Sequence, residues 1–108
     1  MDIDQARTVF EQIEQTGLIN LKEDLYKTAI RYAEIRTTWY CSSLEERKDM
    51  DANRTRAHNA FIDACNILSR NMVKEGCDIH WRAILGEDRK MIGDFACYLH
   101  CIFGLRAR

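Results

Sequence analysis

Proline is absent from this chain of 108 residues, although about 5% is usual in globular proteins. Because proline breaks helix interiors and is common in loops, its absence favours long helices joined by short connections. No segment alternates between apolar and polar residues for long enough to predict a strand. The sequence therefore predicts an all-α protein.

An excess of charge of one sign is also missing, and so is a long apolar run. Sixteen basic residues stand against seventeen acidic ones, and the net charge of -1 argues against nucleic acid or anionic lipid as a partner. The longest apolar run falls well short of the roughly 20 residues that span a bilayer. Asp2 and Asp4 stand where a signal peptide would have a basic region. We therefore expect a cytoplasmic protein without a membrane partner.

The five cysteines do not form the framework of a disulfide-rich or zinc-binding protein. Their number is odd and no CxxC repeat occurs. They are Cys41, Cys65, Cys77, Cys97 and Cys101. Since cytosolic thiols of this kind are mostly small buried hydrophobes, we expect buried thiols without disulfide bonds.

Apolar periodicity and terminal signals divide the chain into four main helices and a short one. Asn20 with Glu23, and Ser43 with Glu46, have the form of capping boxes at helix starts. Asp78 is the predicted cap of the short helix. Helix ends are expected at Gly17, Gly76 and Gly86. The predicted helices cover residues 2–15, 20–40, 43–75, 78–85 and 88–104.

The third helix is the longest, and two interpretations of it are open. Its apolar residues follow spacings of 3, 4 or 7, at Met50, Ala57, Phe61, Ala64, Leu68 and Met72. One continuous helix would be about 50 Å long. The alternative is a break near Asp51 and Asn53, which are weak helix formers. We favour the continuous helix.

The last helix is apolar on nearly every side between Phe95 and Phe103. Its broad core face is predicted to hold Ile92, Phe95, Ala96, Leu99, Ile102 and Phe103. Cys97 and Cys101 lie opposite, and either neighbouring helices or a second copy of the chain must cover them. We favour a homodimer, because helices that are covered on all sides belong to larger cores than this one. The predicted interface residues are Cys97, Tyr98, Cys101 and Leu105.

The most distinctive polar segment runs from residue 54 to 63. Asn59 and Asp63 begin a polar stripe on the third helix, and Arg54 and His58 are one turn apart. These four residues are the candidate site for a polar ligand, with a solvated face as the alternative. His58 has the chemistry of a general base. No serine or cysteine lies beside it in sequence, so we predict no catalytic residue.

Two other classes of function remain as alternatives. Metal ligands could come from Cys77 and His80 with Cys97, His100 and Cys101, or from the carboxylate pairs Glu11/Glu14 and Glu46/Asp49. The carboxylate pairs have the spacing used by small metal-dependent, nucleotide-processing helical enzymes. No complete set of ligands has standard spacing, so we predict no metal and no cofactor. A DNA-binding regulator would need a basic recognition helix, and the short helix offers only Arg82.

Residues 56–70, which read RAHNAFIDACNILSR, and residues 93–96 downstream resemble small bacterial helical proteins grouped as a domain family of unknown function. The resemblance covers the C-terminal half. It implies a bacterial or phage-related cytoplasmic origin, and it carries no activity, cofactor or ligand.

Taken together, the sequence predicts one bundle-like domain of four to five helices over residues 1–108. Its predicted role is that of a non-catalytic interaction protein, which self-associates through the last helix. Nucleic acid is not an expected partner.

Overall fold

The computed structural model describes the backbone of residues 1–106 and the side chains of residues 1–104. Its helices are α1 (Ile3–Glu14), α2 (Ile19–Tyr40), α3 (Leu44–Lys74), α4 (Trp81–Leu85) and α5 (Arg89–Arg106). No strand occurs in residues 1–106. The predicted all-α class is therefore confirmed. Within the described residues, no helix is both long enough and apolar enough to cross a membrane.

Three of the predicted helix boundaries have a clear local cause. The Ser43 hydroxyl accepts a hydrogen bond from the backbone N–H of Glu46 at 3.2 Å, which completes the capping box at the start of α3. α3 is then unbroken for 31 residues, so the favoured continuous helix is confirmed. Gly76 and Gly86 have φ angles of 81° and 57°, a conformation that glycine adopts without steric cost. They end α3 and α4.

Two other predicted caps are wrong. α2 begins one residue before Asn20, after Leu18, and has no side-chain cap. A tight turn supplies the start instead, because the Ile19 N–H donates to the Gly17 carbonyl at 2.9 Å. α4 begins only at Trp81, and the Asp78 carboxylate lies 3.2 Å from His80 Nε2 rather than at the helix terminus.

The core is arranged around α2, which packs between α3 and α5. The buried face of α2 consists of Leu25, Ala29, Tyr32 and Ala33. α5 runs antiparallel to α2, since the ring of Phe103 lies 4.6 Å from that of Tyr26 near the start of α2. α1 and α4 contact each other and pack against α5 at one end of this arrangement. The largest fully buried side chains are Trp81, Tyr32, Phe61, Phe95, Ile13, Leu25, Leu68, Leu85, Ile92 and Leu99.

The difference between the two predicted caps can be measured. We expect Ser43→Ala to lower the free energy of unfolding by about 1 kcal/mol, because an N-terminal N–H of α3 loses its acceptor. Asn20→Ala should change it by less than about 0.5 kcal/mol, since Asn20 is exposed and is not a cap. Urea denaturation of both variants tests this. Equal losses would contradict the observed start of α2.

Candidate functional site

An apolar groove of about 410 Å³ lies between the start of α1 and α5. We call it the α1/α5 groove. Its lining includes Ile3, Ala6, Cys97, Tyr98, Cys101 and Ile102. Ile3 stands at its edge with 67% of its surface exposed. A large exposed apolar side chain therefore lies beside an apolar depression.

Most of α5 is covered by its own chain, which is more coverage than the sequence led us to expect. Phe95 and Leu99 are completely buried. Phe103 is half-buried, with the rings of Tyr26 and Phe10 at 4.6 and 6.3 Å. Helices α1 and α2 thus cover α5 from two sides, and the α1/α5 groove is the apolar part that they leave open.

Three of the four predicted interface residues lie in this groove. Cys97 and Tyr98 are half-buried, and Cys101 is exposed. The side chain of Leu105 lies outside the described residues. Ile3 and Ala6 were missed by the sequence analysis, because helical periodicity gives the faces of each helix and not which helices lie side by side.

Arg36 links α2 to the same part of α5. Its guanidinium lies 3.5 Å from a carboxylate oxygen of Asp94 and 3.7 Å from the sulfur of Cys97. A β-carbon placed on Gly93 would lie only 2.6 Å from Arg36 Cζ. Arg36 therefore lies flat against α5 only because residue 93 has no side chain.

This contact gives Gly93→Ala an unusual expected effect. Alanine in an exposed helix normally stabilises it by up to about 1 kcal/mol relative to glycine. We expect this for Gly104→Ala, where the new methyl group has no atom of the described residues within 4 Å. Gly93→Ala must displace Arg36, and we expect it to be about 1–2 kcal/mol less stable than Gly104→Ala. Thermal or urea unfolding measures both.

An Arg36→Ala background provides the control. With the guanidinium removed, Gly93→Ala should stabilise the protein as Gly104→Ala does. If Gly93→Ala has the same effect in both backgrounds, the proposed contact is absent.

The predicted polar site divides over two faces of α3. Arg54 lies over the Trp39 ring, with its guanidinium carbon 4.3 Å from the ring centroid. The His58 ring meets the edge of Tyr32 at 5.4 Å. Arg54 and His58 therefore face α2, and Asn59 joins them through a 3.3 Å contact with His58 Nδ1.

Asp63 does not belong to this group. It is exposed and lines a separate groove on the outer side of α2 and α3, together with Asp24. The structure thus brings three of the four predicted residues together. Binding of a polar ligand by these residues stays a prediction.

His58 is electrostatically unusual. Burial lowers its pKa below the ordinary value of 6.5, and the positive charges of Arg89 and Arg54 lower it further. A hydrogen bond from the ring to Asn59 Oδ1 raises it in part. Its Nε2 atom is buried and has no hydrogen-bond partner within the described residues. The fold therefore favours the neutral imidazole.

This shift gives the protein a pH-dependent stability. Because the unfolded chain takes up a proton near pH 6.5 and the folded chain only at lower pH, stability should fall as the pH drops below 6.5. His58→Gln should abolish the part of this loss of stability that comes from His58. His80→Gln, which replaces an exposed histidine, should lose stability at low pH as the wild type does. Urea midpoints between pH 5 and 8 test this. An unchanged profile in His58→Gln would contradict it.

The candidate metal ligands do not converge. Among the described residues, no three histidine, cysteine, aspartate or glutamate side chains are grouped to hold a metal ion. His80 contacts Asp78, and His100 Nε2 lies 3.8 Å from a carboxylate oxygen of Glu34. Glu14 pairs with Lys22, and Glu46 is held in the cap of α3.

The cysteines are all free, as expected, but they are less buried than predicted. Only Cys65 is fully buried, and burial raises the pKa of its thiol to about 12, so it stays protonated. Cys41 and Cys101 are exposed. They lie at the C-terminal end of α2 and on the open side of α5, where helix packing leaves them uncovered.

The short helix α4 lacks the features of a DNA-recognition helix. It has five residues. Its one arginine, Arg82, donates hydrogen bonds to Asn66 Oδ1 at 2.9 Å and to the Gly86 carbonyl at 2.7 Å. These bonds hold its guanidinium against the protein itself.

Comparison with known proteins adds no family to this description: the chain matches no family model, and it has no significant match among curated proteins or solved structures. The resemblance of residues 56–70 to a bacterial domain family therefore stays a prediction.

Proposed function

We propose that this protein is a non-catalytic interaction protein that self-associates through the α1/α5 groove. The observation that supports this most is the groove itself, an apolar depression of about 410 Å³ with the exposed side chain of Ile3 at its rim. A cytoplasmic setting and a bacterial origin belong to the same proposal. They rest on the composition and on the resemblance of residues 56–70.

A second copy suits this groove better than a small ligand. Ligand pockets usually combine an apolar lining with a few free polar groups that orient the ligand. The lining holds two carboxylates, and both are already engaged. Asp2 accepts a hydrogen bond from the backbone N–H of Gln5 at 2.7 Å, and Asp94 contacts Arg36 and, at 3.2 Å, the Met1 amine. In a two-fold dimer, Ile3 of each copy would fill the groove of the other, and both would lose exposed apolar surface.

The alternative functions have less support. A metal-dependent enzyme needs carboxylates that converge, and the described residues contain no such group. A helix-turn-helix regulator needs a recognition helix with basic side chains free to reach phosphates, whereas the one arginine of α4, Arg82, is bonded to its own chain. No specific observation favours either.

The proposal predicts the effect of a charge in the groove. Cys101→Glu would place a carboxylate in the apolar contact, and we expect the dimer to dissociate at least about tenfold more readily. Cys41→Glu makes the same change at an exposed cysteine outside the groove and should leave the association unchanged. Ile3→Asp should act like Cys101→Glu. Sedimentation equilibrium measures all three.

Circular dichroism provides the folding control, because an exposed Cys101 is not needed for the core. If Cys101→Glu and Ile3→Asp associate as strongly as the wild type, the groove is not the contact surface.

A further inference from the structure

The outer side of α3 carries an ordered series of unpaired charges. In chain order these are Glu45, Asp49, Arg56, Asp63, Arg70 and Lys74, and all six are exposed. Their positions follow one another by four and seven residues, so they form one stripe along the helix, which we call the outer stripe. Within the described residues, none of them belongs to an ion pair.

The order of charges along the outer stripe is the same from either end of α3, except that every sign is opposite. From the N-terminal end the signs are negative, negative, positive, negative, positive, positive. From the C-terminal end every sign is opposite, and the spacings are the same in both directions. The centre of this pattern lies between Asn59 and Ala60.

An antiparallel second copy would therefore meet an opposite charge at every charged position. With a two-fold axis beside Ala60, Arg56 would face Asp63 of the second copy, Asp49 would face Arg70, and Glu45 would face Lys74. The two-fold axis repeats each pair, as an isologous contact requires. The spacing of four and seven residues keeps such a stripe turned towards an adjacent helix.

Helix α2 carries charges of the same sign next to two of the charges of the outer stripe. Arg31 and Arg56 line one groove of about 470 Å³. Asp24 and Asp63 line the next, of about 290 Å³. Within one copy, like charges from the two helices thus line the same groove, which is electrostatically unfavourable. A two-fold axis between the grooves would place each like-charged pair against the opposite pair of the second copy.

Small residues make close approach feasible at the centre of this surface. Ala60 is exposed and borders both grooves, and Ala57 and Ala64 lie in their floors. Small side chains let two helices approach to the lower end of the usual 8–10 Å between axes. The outer stripe thus combines charge complementarity with a shape that a second helix can meet.

We infer that the outer stripe of α3 is a second self-association surface, on which α3 of another copy docks antiparallel around Ala60. This surface is separate from the α1/α5 groove and does not depend on it. Because the contact is mainly between exposed charges, its strength should fall as salt shortens the range of electrostatic attraction from about 10 Å at 0.1 M to about 3 Å at 1 M. An apolar groove would not weaken in this way.

A charge exchange between positions 56 and 63 tests this inference. Arg56→Asp and Asp63→Arg should each weaken self-association at least about tenfold at low salt, since like charges then meet twice across the two-fold axis. A mixture of the two variants should associate again, because each supplies the charge that the other lacks. The double variant Arg56→Asp/Asp63→Arg should associate like the wild type. Sedimentation equilibrium at 50 mM and 1 M NaCl measures all four samples.

The association that the mixture and the double variant recover has to come from ion pairs between copies. Positions 56 and 63 are about 10 Å apart along one helix, too far for an ion pair within the chain. Lys90→Asp on α5 and Glu11→Arg on α1 change exposed charges by the same amounts elsewhere, and they should have no effect. Circular dichroism checks that each variant keeps its helices.

Repeating the series in the Cys101→Glu background separates this inference from the proposed groove. If the outer stripe is an interface and the α1/α5 groove is not, Cys101→Glu does not change the association between copies. Arg56→Asp on its own then produces a monomer. If Arg56→Asp and Asp63→Arg associate like the wild type, or if their mixture fails to recover what each has lost, the outer stripe is not an interface between copies.

Discussion

The packing of α2 between two neighbours is the constraint on which the rest of the structure depends. Tyr32 contacts α3, where its ring lies 5.4 Å from that of His58. One turn later, Arg36 contacts α5 at Gly93 and Asp94. Ala29 and Ala33 are buried on the same face, and their small side chains let helices approach closely. A single helix thus supplies the core contacts of both its neighbours.

A domain of this size cannot surround all of its helices. α1 and α4 cover one end of the arrangement, and α2 lies between α3 and α5, so the outer side of α3 has no neighbouring helix in the part of the chain that the structure describes. The charges on that side are consequently unpaired, and the groove beside α5 remains open. Both uncovered surfaces suit a second copy. The groove is apolar, and each charge of the outer stripe would meet an opposite charge of an antiparallel copy.

The sequence predicts the helices well wherever a local signal decides the structure. Ser43 with Glu46 fixes the start of α3, and Gly76 and Gly86 mark ends. Asn20 was mistaken for a cap because a capping box does not reveal a preceding turn, here formed by the Gly17 carbonyl. Periodicity alone cannot show which surfaces meet.

Long-range contacts were accordingly less predictable from the sequence. The contact of Arg36 with Gly93 joins residues 57 positions apart, and nothing near either residue indicates it. Coverage of α5 was underestimated for the same reason, since Tyr26 and Phe10 come from other helices. The outer stripe is different, because its charge pattern is visible in the sequence once α3 is known to be continuous. Reading those charges in both directions would have revealed it.

The arrangement of two copies can be measured most directly by pulsed electron paramagnetic resonance. A spin-labelled amino acid inserted without using cysteine, at Asn59 in one sample and at Val73 in another, reports the distance between copies at two points along α3 and leaves Ala60 unchanged. An antiparallel contact centred beside residue 60 predicts labels within about 20 Å of each other at position 59 and about 40 Å apart at position 73. Short distances at both positions, or no coupling between copies at either, would contradict this account.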